Sequence, residues 1–281
     1  MKRQNKRHRK VRKCLAGPNF PGQHLLHNKR VARDMVESAQ ITSRDLVLEI
    51  GAGKGAITLL LAEKAGKVLA VENDPIFCEI LHKKAARCSN ITIIQKDVMK
   101  TNLPRQPFCV VANIPYAITT PILDKLLGHP GNALQRALLM VEEGAAKRFT
   151  ADPITNPKIL TWRMWFHMAI VQKVSRRNFS PPPNVDSALL SIRRKCHPSV
   201  PPHQQPIFTA LANYGLKHPD WSMDAALRGI FTRPQLKRLV KHIGVDQHSP
   251  IGSLDEDQWG IVFQTMAQYV PSFRWPKMRK R

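Results

Sequence analysis

The sequence predicts an α/β protein in which a mostly parallel sheet is covered by helices and followed by a smaller helical domain. Three observations predict it. Short apolar runs alternate with amphipathic stretches from residue 46 to residue 143. A glycine-rich turn, "GAGKGA", follows the first of those runs and opens a helical stretch. Beyond Cys196 the texture changes to a proline-rich stretch and then to helical periodicity alone.

The strands come first. "LVLEIG" (46–51), "KVLAVE" (67–72), "ITIIQKD" (91–97), "FCVVAN" (108–113) and "ALLMVEE" (137–143) are apolar runs of the length that a buried parallel strand needs. Amphipathic stretches near 54–65, 74–87 and 118–128 supply the crossover helices, and Pro75 and Pro121 stand near the starts of the last two, where proline is tolerated. Two more strands are expected near 168–176 and 186–194, separated by "SPPPNVD", which cannot be regular structure. "HPSVPPHQQP" reads as a linker. In "PQLKRLVKHI" (234–243), Leu236, Leu239, Val240 and Ile243 recur at i, i+3, i+4 and i+7, one apolar helix face, with Lys237, Arg238 and Lys241 opposite. Residues 255–270 are a second helix. The expected division is a basic disordered arm at 1–18, an α/β domain at 19–196 and a helical domain at 197–281.

Charge narrows the partners. Lys and Arg number 44 against 20 Asp and Glu, a net +24 that points to a polyanion, nucleic acid before an anionic membrane. Eight of the first 13 residues are Lys or Arg, with no acid among them, which suits an arm that grips phosphates. The five cysteines (Cys14, Cys78, Cys88, Cys109, Cys196) form no C-x-x-C pair, which suits a reducing cytoplasm and argues against zinc or disulfides. None of the 11 histidines stands in a metal-ligand motif, no apolar run is long enough to span a bilayer, and no apolar segment of a secretory signal follows the basic start.

The chemistry gathers at strand ends. Gly51, Gly53 and Gly55 allow a tight turn and a close approach to a ligand. Glu72 ends the second strand and Asp97 the third. In a parallel sheet the carboxyl ends of strands face one crevice, so Gly51, Glu72, Asp97 and Asn113 converge there, with an acid for ribose hydroxyls and another for a base amine. A nucleoside fits, which leaves NAD and S-adenosylmethionine both open at this point. Capping of the helices at 74 and 98 is the plainer role for the two acids.

The fourth strand separates the two. It ends in Asn113, Ile114, Pro115 and Tyr116. An adenine amine is a poor nucleophile because its lone pair is delocalised into the ring. The Asn113 amide oxygen and the Ile114 carbonyl, fixed by Pro115, can accept its two hydrogens and favour a pyramidal nitrogen, while Tyr116 offers a face for the extruded base. That is the chemistry of methyl transfer, with S-adenosylmethionine as donor; for these four residues taken alone, an ordinary strand end with a core tyrosine is the plainer reading.

"EIGAGKG", "VEND", the Lys96–Asp97 pair, "NIPY" and "FSPPPNVDS" occur in this order and at the spacing of a known family. The chain resembles the ribosomal RNA adenine N6-dimethyltransferases from about Asn19 to Arg194, and more weakly beyond. "NIPYAITTPI", the stretch Gly144 to Phe149 and the basic tail are closer to the Erm branch, which gives macrolide–lincosamide–streptogramin B resistance, than to the small-subunit housekeeping branch. The resemblance implies a Rossmann-like S-adenosylmethionine-dependent domain with a smaller RNA-contacting helical domain, acting in the cytoplasm as a monomer on 23S rather than 16S ribosomal RNA, with no metal and no membrane partner. A nucleic-acid binder on the same scaffold is the reading from another class, and the intact strand-end motifs weigh against it.

Roles follow onto matching positions. Gly51 and Gly53 would hold the methionine part of the cofactor, Glu72 the ribose and Asp97 the adenine amine. His24 and Leu26 would close over it, with histidine standing where the family has asparagine. Asn113 would touch the cofactor and act on the target base, Tyr116 would stack on that base, and Phe179 would stack on its other face.

Overall fold

The computed structural model describes residues 24–277, so the basic arm expected at 1–18 lies outside the described residues. In chain order the elements begin with β1 (Leu25–Leu26), α1 (Lys29–Ser38), β2 (Leu46–Ile50), α2 (Thr58–Ala62), β3 (Lys67–Glu72), α3 (Pro75–Ala85), β4 (Ile91–Gln95) and β5 (Phe108–Asn113). Then come α4 (Thr119–Leu127), β6 (Leu134–Glu142), α5 (Glu143–Thr150), α6 (Pro157–Trp165), β7 (Phe166–Val174), β8 (Phe179–Ser180) and β9 (Ser187–Arg194). The last four are α7 (Gln205–Gly215), α8 (Met223–Leu227), α9 (Arg233–Ile243) and α10 (Glu256–Tyr269).

Seven strands form one sheet in the order β4-β3-β2-β5-β6-β9-β7. The pairs β2/β3, β3/β4, β2/β5 and β5/β6 are parallel. All five residues of β2 are buried, as are the first five of β5, because helices cover both faces and leave no side of these strands for polar residues. The chain runs outward from β2 through β3 to β4, then returns to place β5 on the other flank of β2. That reversal opens a crevice beyond the carboxyl ends of β2 and β5.

Local signals set the helix starts. Asn28 caps α1 and Asp74 caps α3, each accepting two backbone N–H groups, and Pro75 takes the first turn of α3. Asn156 and Pro157 repeat the device at α6.

The chain folds into two compact units. The first holds the chain up to Leu123 with Ala133–Ala146 and Ile170–Ser191. The second holds Asp124–Asn132, Lys147–Ala169 and the chain from Ile192. The division is interleaved, where the sequence suggested one break after residue 196. Aromatic packing is the reason: α6 supplies Trp165, whose ring meets Phe208 of α7 edge-on at 5.6 Å, and Phe208 meets Phe263 of α10 at 5.8 Å. The expected linker is packed as well. Val200 is fully buried, its carbonyl accepts the Trp165 indole N–H at 2.8 Å, and Ser199 sits so close to Gly260 that a Cβ there would lie 2.5 Å from it.

Candidate active site

The glycine turn sits where β2 meets the crevice. Gly51 (φ 72°) and Gly53 (φ 54°) hold left-handed backbone that other residues rarely adopt, and a Cβ on Gly53 would come within 3.2 Å of Leu25. The Gly51 N–H donates to the Val71 carbonyl at 2.8 Å, which ties the turn to β3.

Glu72 organises this turn from the end of β3. Its Oε2 accepts the Gly53 N–H, and its Oε1 accepts the N–H groups of Asn73 and Asp74, all at 2.8 Å. Asp97 accepts the Met99 N–H at 2.8 Å and caps a short 3-10 turn. Both carboxylates thus stand at strand ends while serving backbone amides.

Beside the turn lies a cavity of about 300 Å³ whose walls include Leu26, Gly51, Gly53 and Asn113. Glu72, Asp97 and His24 do not line it. Glu49 does, although the strand-end pattern does not single it out. Only 1 % of Glu49 is exposed, and its Oε2 has no hydrogen-bond partner. Thr58 lies near enough to ease its charge, yet the Thr58 hydroxyl also lacks a partner, so the two are not in hydrogen-bonding geometry. Burial, with the Glu72 charge adding to it, pushes the Glu49 carboxyl up to about 8. The signal that could have found it is in "LVLEIG": one acid inside a strand buried on both faces.

Asn113 closes the other side. Its amide Nδ2 donates to the His24 carbonyl at 2.9 Å. Only a donor can meet a carbonyl, so the amide is oriented with Oδ1 free to accept. The Ile114 N–H donates to Met140 at 3.3 Å, and its carbonyl accepts no hydrogen bond among the described residues. Pro115 (φ −60°, ψ 130°) begins the 3-10 turn that carries Tyr116. The NIPY corner therefore presents two unused acceptors in sequence.

Tyr116 is half-buried, and its hydroxyl pairs with Ser187 Oγ at 2.6 Å, while burial raises its pKa. The His24 ring lies 5.7 Å from the Tyr116 ring and tilts across it, with Nδ1 on the Pro181 carbonyl at 2.7 Å. His24 thus meets the site through its main chain and braces Tyr116 with its ring. Phe179 differs from the expected platform. Its 2 % exposure places it in the core with Leu26, Met35 and Val174, because β1 and β8 pair and set Leu26 opposite Phe179.

The Tyr116 hydroxyl bond makes a prediction. Tyr116→Phe strands the fully buried Ser187 hydroxyl and should cost about 1–3 kcal/mol of stability in chemical denaturation. Adding Ser187→Ala should recover most of that loss. Equal losses in the single and double variants would show that the pair is not a working hydrogen bond.

Among the described residues no cluster of His, Cys, Asp or Glu could hold a metal ion, and no helix is long and apolar enough to cross a membrane. The family model for ribosomal RNA adenine dimethylase matches residues 18–268. An rRNA adenine N-6-methyltransferase of Bacillus licheniformis is 48% identical over 283 residues, covering 100% of this chain and 98% of that protein. One from Bacteroides fragilis is 34% identical over 90% of this chain and 94% of its own length. The crystal structure of the 23S rRNA methyltransferase ErmE superposes with a TM-score of 0.77 at 26% identity, covering 87% of this chain and all (100%) of that one. With the strand-end motifs in place and the match running through both units, the chain belongs to the ribosomal RNA adenine dimethylase family.

Proposed function

We propose that the protein transfers methyl groups from S-adenosylmethionine to N6 of one adenine of 23S ribosomal RNA, dimethylating it and conferring macrolide–lincosamide–streptogramin B resistance. The observation that carries this reading is the Asn113 amide, whose Nδ2 donates to the His24 carbonyl and so leaves its oxygen as an acceptor, next in sequence to the free Ile114 carbonyl.

The residues present fit the cofactor. A buried carboxyl with an unused oxygen, lining a cavity beside a glycine turn, suits a cationic ligand. Leu26, Gly51, Gly53 and Asn113 would hold it with Glu49, and the His24 main chain would fix Asn113 against it. Glu72 and Asp97 would meet its ribose and adenine from the neighbouring strand ends. When bound, S-adenosylmethionine supplies an electrophilic methyl group.

The chain does the rest. In the first transfer Asn113 Oδ1 and the Ile114 carbonyl accept the two N6 hydrogens, drawing the nitrogen toward a pyramidal geometry and freeing its lone pair; in the second transfer the one remaining N6 hydrogen meets one of these two acceptors. Those bonds strengthen as positive charge builds on nitrogen, so they lower the barrier more than they tighten ground-state binding. Tyr116 holds the ring of the extruded adenine. Phe179 would reach its other face only after the β1–β8 ribbon shifts.

Primer extension over both ribosomal RNAs, in cells with and without the gene, tests the assignment. The expected result is a new stop at one adenine of the large-subunit RNA, together with resistance to all three drug classes. A stop confined to the small-subunit RNA, or none, would overturn it.

A further inference from the structure

We propose that Glu142 is a further residue of the methyl-transfer reaction, a carboxylate set beside the target base that balances the positive charge arising on N6 and takes up the proton that N6 sheds. The inference rests on the adenine reading above and deepens it.

Strand geometry places Glu142 between residues already assigned to the site. In the sheet, β6 lies between β5 and β9. Asn113, the last residue of β5, is the register partner of Met140, and Glu142, the last residue of β6, stands two residues further on, about 7 Å along the strand. Val111, Leu138, Met140 and Leu189 share one core cluster and hence one face of the sheet. Alternation puts Asn113, Glu142 and Ser187 on that same face, on three neighbouring strands. The Glu143 N–H donates to the Asp186 carbonyl at 3.0 Å, which sets the end of β6 against the start of β9. The Tyr116 hydroxyl reaches from the β5 side to Ser187 on β9 at 2.6 Å, past the end of the strand that carries Glu142. Burial raises the Tyr116 phenol, and the charges of Glu142 and Asp186 add to that rise, so the carboxylate is felt where the base would stack.

Glu142 is partly buried, and no hydrogen bond or ion pair engages its carboxylate among the described residues. Its neighbours are served: Glu143 pairs with Lys173 at 3.2 Å, and Asp186 accepts the Arg176 N–H at 2.9 Å. In a chain with 44 Lys and Arg against 20 Asp and Glu, a partly buried carboxylate without a cation is an exception. Gripping RNA does not explain it, since a carboxylate repels phosphates. A positive charge that forms inside the site does.

Each transfer forms a bond from N6 to the methyl carbon, leaves the electron pair of the broken carbon–sulfur bond on sulfur, and leaves N6 positive until one proton departs. Asn113 Oδ1 and the Ile114 carbonyl are neutral acceptors that steer the lone pair but do not keep a proton. The Glu142 carboxylate can hold it and pass it to bulk water. Dimethylation sheds two protons, so the acceptor has to reset between transfers, and a partly exposed carboxylate does so.

The test compares the full-length protein with Glu142→Gln, Glu142→Asp and, as the paired neighbour, Glu143→Gln. Single-turnover methylation of a stem-loop carrying the target adenine, affinity for that RNA, and tyrosinate absorbance across an alkaline titration are measured. Glu142→Gln should lower the single-turnover rate about tenfold and bind RNA no more weakly than the parent. Glu142→Asp keeps the charge and should recover most of the rate, while Glu143→Gln should stay within about twofold of the parent. The tyrosine titration that is missing from Tyr116→Phe should move to lower pH in Glu142→Gln, because a negative charge beside the phenol is gone. An unchanged rate in Glu142→Gln, an equal loss in Glu142→Asp, a rate loss matched by weaker RNA binding, or an unmoved Tyr116 titration would overturn the proposal. A parent that methylates no adenine would overturn the underlying reading as well, whereas a methylating parent matched by its Glu142→Gln variant would overturn this role alone.

Discussion

Replacing Asn113 with alanine should lower single-turnover methyl transfer roughly 100- to 1,000-fold, the loss that follows when one preorganised polar contact to the transition state is removed. RNA affinity should change far less, because the Asn113 oxygen acts on a nitrogen whose geometry and charge differ only in the transition state. Calorimetry with S-adenosylmethionine and filter binding with RNA separate these effects.

The structure adds a second consequence. Asn113 Nδ2 holds the His24 carbonyl, so Asn113→Ala also releases the segment that leads into β1. His24→Ala provides the comparison, because its main-chain carbonyl remains while the ring that leans on Tyr116 is lost. His24→Ala should loosen the base platform with only a modest fall in turnover. If Asn113→Ala lost RNA binding and kept its single-turnover rate, the amide would serve binding or folding, and its action on the reacting nitrogen would be disproved.

What could be read from the chain follows from where apolar residues are forced to run. Strands β2, β3, β5 and β9 were legible almost to the residue, because their middles are buried and read as near-continuous apolar runs. Helices α3 and α9 were legible from Pro75 and from the i, i+3, i+4 row ending at Ile243. The two-residue strands β1 and β8 were not, since their pairing joins segments far apart in sequence and leaves no period. That same pairing buries Phe179, which the motif alone placed at the target base. The interleaved second unit was hidden too: nothing in the composition of 147–169 says that Trp165 will pack on Phe208. The convergence of Gly51 and Asn113 was readable because strand order dictates it, whereas the orientation of the Asn113 amide depends on a carbonyl supplied by residue 24.

The buried Glu49 should make both folding and cofactor binding proton-linked. An ordinary glutamate loses its proton near 4.5, while in the folded protein Glu49 holds it until about 8. Between those values the unfolded chain binds fewer protons than the native one, so this group makes stability fall as pH rises, by on the order of 4 kcal/mol once pH 8 is reached. Glu49→Gln removes the burden, since a neutral amide stays neutral. Without cofactor, the variant should therefore melt at a higher temperature than the parent at pH 8.5, with the gap closing toward pH 5. Binding should move the other way. S-adenosylmethionine carries two cationic groups, and a carboxylate in the cavity wall favours them over a carboxylic acid. The parent should release a proton on binding at pH 7, seen as a heat that varies with the ionisation enthalpy of the buffer, and its affinity should rise toward pH 8. Glu49→Gln should bind at least tenfold more weakly at pH 8, with no proton release. If the variant were instead less stable than the parent at pH 8.5 and bound S-adenosylmethionine equally well, Glu49 would be a structural group within β2, and the cavity would owe its fit to the glycine turn and Asn113 alone.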